Sequence, residues 1–233
     1  MIARAPLVAP VLATLLGLAA GSVAAQDFAP PEGCVGTLTV QQRACLVVNV
    51  WECEADAPGE QWVALFGVGG PFQVKKVDED FQWLTTFYPD RVETMELPAP
   101  DPGSLSELLE TGRDSYDFTT TSDDGAPAER VVGVDRLTGE EVEIDGEPLL
   151  ATTYSYDVVT ADGEITYSGV GEQYVSERHR LFLLGRSWQR DTPEEVLEAS
   201  PVDFIYPGEP GFFSTSPQYD CGVIESALPG ASQ

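Results

Sequence analysis

Between Arg130 and Trp188 the chain reads RVVGVDRLTGEEVEIDGEPLLATTYSYDVVTADGEITYSGVGEQYVSERHRLFLLGRSW, and this stretch decides the fold. Val142-Glu-Ile144 runs into Asp145-Gly146, and Tyr154-Ser-Tyr-Asp-Val-Val159 runs into Ala161-Asp-Gly163. Asp-Gly between β-rich runs is a hairpin signal, because a tight two-residue turn needs positive φ at its centre. Ile165-Thr-Tyr167, Gln173-Tyr-Val175 and Leu181-Phe-Leu-Leu184 follow with the same spacing. The pattern predicts an antiparallel meander. Extended to the whole chain, it predicts a mainly β fold: a curved antiparallel sheet or open β-barrel of about ten strands, with one or two short helices.

Upstream of the meander, Leu46 to Trp51 is apolar on both faces, as a strand covered on both sides should be. Gln61–Phe66, Phe72–Val77, Phe81–Phe87 and Arg91–Leu97 read as further strands, and simple alternation puts Phe81, Trp83, Thr85 and Phe87 on one face. Pro98-Ala-Pro-Asp-Pro102 is an internal joint. It leads into Ser104-Leu-Ser-Glu107, a capping box, with Leu105, Leu108 and Leu109 on one side and Gly112 as terminator. Asp191-Thr-Pro-Glu-Glu195 has the form of a second helix start, with Thr192 as cap and Pro193 at the first helical position.

The beginning of the chain reads as an export address. Arg4 precedes an apolar run, Leu7 to Leu18, and Ser22-Val-Ala-Ala25 supplies the small residues of a cleavage site. Cleavage is expected between Ala25 and Gln26, leaving residues 26–233 as a single domain with no membrane span and placing it in the periplasm or outside the cell. Cys34, Cys45, Cys53 and Cys221 suit that oxidising setting as two disulfides. If Cys45 to Glu54 is one strand, Cys45 and Cys53 lie about 26 Å apart at ~3.3 Å per residue. A disulfide needs Cα atoms within about 7 Å. One of these two is therefore expected to pair with Cys221.

Charge excludes one class of partner. Lys and Arg number 12 against 39 Asp and Glu, a net of −27, so nucleic acid and anionic membrane surfaces repel this chain. No D-x-[DN]-x-[DN]-G loop marks a calcium site, and the acidic residues read first as a solvated surface. Catalytic motifs are equally scarce. Gly185-Arg-Ser187-Trp-Gln189 lacks the final glycine of a nucleophile elbow, and the sole histidine, His179, precedes Ser187 instead of following it. His179 is expected on a strand, packed at a sheet edge. Carboxylate chemistry of the glycosidase type needs a pair of acids, and Glu172, beside Gly171, and Asp157, beside Tyr156, are the candidates. No cofactor is implied.

Trp51, Trp62, Trp83, Tyr154, Tyr156 and Tyr167 are the remaining signal. The simpler reading makes them an ordinary aromatic core; gathered on one concave face, they would line an apolar cavity. The outline of an exported β meander with a covering helix is similar to that of half-barrel lipoprotein carriers. That likeness is one of outline and rests on no motif. It implies a binding or structural protein that holds an apolar, lipid-like small molecule. Carboxylate-based hydrolysis and calcium-dependent adhesion are the alternatives.

Overall fold

The computed structural model describes residues 28–222, so the expected leader and its cleavage point at Ala25 and Gln26 lie outside the described residues. The described chain forms one unclosed, curved antiparallel sheet of thirteen strands with one short helix. The strands are β1 (Cys34–Gln42), β2 (Leu46–Cys53), β3 (Gln61–Gly67), β4 (Gly70–Val77), β5 (Trp83–Phe87), β6 (Val92–Met95) and β7 (Arg113–Ser122). They continue as β8 (Glu129–Ile144), β9 (Glu147–Thr160), β10 (Ile165–Ser176), β11 (Leu181–Gln189), β12 (Thr192–Glu198) and β13 (Pro201–Ile205). From β1 to β12 spatial order follows chain order; β13 then returns to pair with β1, setting Thr39 against Ile205.

The meander is the long-stranded part of the sheet, with 16 residues in β8 and 14 in β9. Asp145 and Gly146 both adopt positive φ, 51° and 78°, which is the tight turn that Asp-Gly favours. Gly163, at φ 89°, turns β9 into β10. The core forms where the sheet curls on itself. Leu38, Val40, Val48, Val50, Val63 and Val77 of β1–β4 meet Leu149, Leu181 and Leu183 of the meander and Phe204 of β13. The buried run of β2, from Val47 to Trp51, belongs on both faces at once: Val48 and Val50 enter this core, and Val47 and Trp51 enter a second one with Phe66 and Phe213.

The helix α1 (Leu105–Thr111) has the ends its sequence specifies. Ser104 Oγ accepts from Glu107 N at 3.1 Å, and Gly112 closes it at φ 80°. Leu105 and Leu108 are fully buried against Val175, beside Leu137, Leu150 and Phe182. The Asp80 carboxylate ties down the first turn, accepting from Ser106 N at 3.0 Å and from Arg180 at 2.9 Å. The expected second helix is instead strand β12, which pairs with β11 from Gln189↔Thr192 to Arg186↔Glu198. A helix cut off by Ser200-Pro201 within two turns cannot sustain itself, and the free edge of β11 offers the segment a strand to pair with.

Two disulfides join the described chain. Cys34 and Cys53 face each other across β1 and β2, and Cys45, in the β1–β2 turn, holds Cys221. These bridges belong to an oxidising environment. Among the described residues, no helix is long and apolar enough to cross a membrane.

The β5 face is a correction. Val77 pairs with Trp83 and Lys76 with Thr85, so one extra residue, Leu84, sits in a bulge. Side chains before and after a bulge exchange faces. Phe81 and Trp83 point into the concave side, and Thr85 and Phe87 point out, where Phe87 packs on Trp62. The preceding turn helps impose this. Asp78 Oδ1 accepts from Asp80 N and Gln82 N, both at 3.0 Å, and Phe81 is held at φ 62°, rare for a bulky residue.

Candidate functional site

A cavity of about 320 Å³ opens between the inner face of β4–β7 and the meander. Its floor is built from a register of tyrosines against glycines. Tyr116 pairs across strands with Gly133, Gly133 with Tyr156, Tyr156 with Gly169 and Tyr154 with Gly171. A Cβ on Gly169 would lie 2.5 Å from the Tyr156 ring, and one on Gly171 would lie 2.8 Å from that of Tyr154. With glycine opposite, each ring can lie down across the neighbouring strand. Tyr154 and Tyr156 are stacked at 6.1 Å, and Tyr167 extends the row at 5.6 Å from Tyr156. Trp83, Phe81, Phe118 and Phe182 form the walls.

Of the six aromatics singled out from sequence, Trp83, Tyr154, Tyr156 and Tyr167 therefore share the concave face. Trp51 and Trp62 do not. They stack at 6.0 Å on the other side of the sheet, in the cluster with Phe28, Phe66 and Phe213. Period two explains the split: Trp62, Ala64 and Phe66 face one way on β3, and Val63 the other.

Three ionisable side chains that no sequence motif marks line this cavity. Lys75 extends its Nζ over the Trp83 ring, 3.4 Å from the centroid. Burial pushes its ammonium down to about 7, against the pull of Glu93. Asp114 and Asp135 are direct neighbours across β7 and β8, 3% and 7% exposed. Burial pushes Asp114 up to about 6, with repulsion from Glu107, Asp101 and Asp80 adding to it. Asp135 is pushed up to about 7, by burial first and then by the charge of Asp114. Asp114 Oδ2 accepts from Ser104 N at 3.0 Å, and Asp135 Oδ1 from Gln173 Nε2 at 2.7 Å. Asp114 Oδ1 is buried without a hydrogen-bond partner among the described residues. Two adjacent acids with raised values titrate as a pair, and both hold their protons to higher pH than ordinary carboxylates do. Burial also raises the phenols of Tyr116, Tyr154 and Tyr156, which stay neutral hydroxyls.

Little in the sequence marks these three. Lys75 is one of only two lysines in an acidic chain, and its neighbour Lys76 points to the opposite face, where it pairs with Asp56 at 2.8 Å and Glu60 at 2.6 Å. The Tyr154-x-Tyr156 and Gly169-x-Gly171 repeats were the readable signal, since both have the period of a single sheet face.

The other candidates lie apart from this cavity or at its edge. His179 sits in the β10–β11 turn, not on a strand. Its Nε2 is 3.4 Å from Tyr206 Oη and 3.5 Å from Glu147 Oε1, and burial lowers its basicity. Ser187 lies six residues along β11 from the end nearest that turn, about 20 Å away at ~3.3 Å per residue, so the two never meet. Asp157 is engaged by Arg190 at 2.9 Å, and exposed Glu172 lies 3.6 Å from Arg186. Neither lines the cavity. Among the described residues, no three His, Cys, Asp or Glu side chains converge as a metal set.

No protein-family model, curated protein or solved structure matches the chain.

Proposed function

We propose that this chain is an exported, non-enzymatic binding protein that holds a small, largely apolar molecule in the tyrosine-floored cavity. The observation that carries this reading is the Tyr–Gly register. Three glycines keep three aromatic rings flat along one open wall, whereas a sheet built only for stability would fill those positions with packed side chains. The two disulfides and the leader-like first residues support export to the periplasm or beyond the cell.

The test is native against denaturing mass spectrometry of the protein purified from a bacterial periplasm without detergent. A retained apolar molecule, lost from a Leu184→Trp variant that fills the cavity, is the expected result. Retention by both proteins, or release of nothing alongside failure to quench Trp83 fluorescence with any apolar probe, would overturn it. The denatured mass also reports cleavage after Ala25.

A second reading has one specific support. Asp114 and Asp135 are buried, adjacent and differently partnered, which is the raw material of carboxylate acid–base catalysis. Turnover of aryl glycosides with a bell-shaped pH profile, abolished by Asp135→Asn, would establish it in place of simple binding.

A further inference from the structure

We propose that the molecule held in this cavity is an organic cation, an amine or quaternary ammonium on an apolar body, with the Asp114–Asp135 pair as its counter-ion and the tyrosine rings as its cage. This rests on the binding reading above and specifies its ligand class.

The argument is an inventory of charge around the cavity. Asp80 is paired with Arg180 at 2.9 Å. Lys75 has the charge of Glu93 acting on it, and Glu93 is itself bonded to Arg91 at 2.8 Å. Asp114 and Asp135, the most buried acids of the cavity lining, have no cationic partner among the described residues. Asp114 Oδ1 is buried and has no hydrogen-bond partner among the described residues. A carboxylate pair more than nine-tenths buried, with an orphaned oxygen, lacks one positive charge.

The surrounding surface selects the form of that charge. Tyr116, Tyr154 and Tyr156 present ring faces, whose negative quadrupole attracts ammonium groups. The cavity already holds one such contact, Lys75 over Trp83. The net charge of −27 draws cations toward the mouth and repels anions. A fatty acid would have to place its carboxylate on Lys75 against that field and beside two acids.

Isothermal titration of the full-length protein with three probes of one shape tests this: benzyltrimethylammonium, its neutral carbon isostere neopentylbenzene, and 3-phenylpropionate. The cation is expected to bind at least about tenfold more tightly than the neutral probe, with 3-phenylpropionate weakest. Asp135→Asn and, separately, Asp114→Asn are each expected to remove most of that preference, while Lys75→Met strengthens cation binding. Both Asn changes are isosteric, and a cooperative thermal transition no lower than the parent's confirms folding. Equal binding of the cation and neutral probes, untouched by either Asn variant, would overturn the cation inference and leave the apolar-cavity reading standing. Preference for 3-phenylpropionate, lost in Lys75→Met, would overturn it in favour of an anion. Binding of none of the three would overturn both readings together.

Discussion

Glu147 and the Asp114–Asp135 pair are equally hidden, at 2%, 3% and 7% exposure, yet they are treated in opposite ways. Both oxygens of Glu147 are occupied. Ser176 Oγ donates to Oε1 at 3.3 Å, while Tyr206 Oη at 2.7 Å and Arg178 at 3.4 Å donate to Oε2. That network joins the start of β9 to the β10–β11 turn and to the chain just after β13. The aspartate pair receives one hydrogen bond to each residue, from Ser104 and Gln173, and has no cationic partner among the described residues. A buried charge with a complete set of donors is architecture. A buried charge left incomplete at the wall of a cavity is the pattern that the cation proposal would explain.

The contrast breaks most severely at Glu147. Glu147→Ala is expected to lower stability by about 2–4 kcal/mol, since several donors lose a charged acceptor and a cavity remains. Urea denaturation would measure it, and Glu147→Gln should cost about half as much because one oxygen still accepts. A loss under about 1 kcal/mol would mean that Glu147 is no more structural than the aspartates.

At the aspartate pair the sign reverses. Both acids titrate higher in the folded chain than in the unfolded one, so the folded state binds more protons between about pH 4 and pH 7. Stability therefore falls as pH rises through that window, and Asp78, also raised by burial, adds to the fall. His179 runs the other way just below 6.5, because burial lowers its basicity. The Asp114→Asn/Asp135→Asn double variant should be more stable than the parent at pH 8, by several kcal/mol, and close to it near pH 4. Denaturation at the two pH values gives the difference directly. A double variant less stable at pH 8 would show that the pair is structural after all.

Gly169→Ala sharpens the comparison on the cavity side. A methyl there displaces the Tyr156 ring, at an expected cost of about 1–3 kcal/mol, with the near-ultraviolet tyrosine dichroism altered. The smallest effect separates the two lysines. Lys76, paired with both Asp56 and Glu60, should lose about 1 kcal/mol on change to Met, whereas Lys75→Met should lose nothing below pH 7, where its buried ammonium is charged at a cost. Thermal denaturation at pH 6 suffices to compare them.

Sequence carried the fold further than the site. Asp145-Gly146, the capping box at Ser104 and the apolar run of β2 each act through local backbone or period, and each is where its residues put it. The edges of the sheet were less legible. Thr192-Pro193 has the chemistry of a helix cap, but the free edge of β11 outweighs it, and neither β1 nor β13 announces itself by alternation. The site was lost to two long-range facts. A single bulge at Leu84 sends Trp83 inward and Phe87 outward, and no alternation rule anticipates a skipped residue. Asp114 and Asp135 become a pair only through the β7–β8 register, across the chain that separates them.

The return of β13 to β1 has a consequence for how this chain folds. Every other neighbouring pair of strands is also consecutive in sequence, so the sheet can grow hairpin by hairpin, with short loops to close everywhere except between β6 and β7, where residues 96–112 carry α1. Setting Thr39 beside Ile205 instead closes nearly the whole described chain into one loop, and the Cys45–Cys221 bridge staples that same seam. Loop closure is the slow part of such a topology. Hydrogen exchange during refolding of the reduced chain should therefore protect the meander first and the β1–β13 seam last, and the cavity, which needs only β4–β11, is expected to form before the seam is sealed.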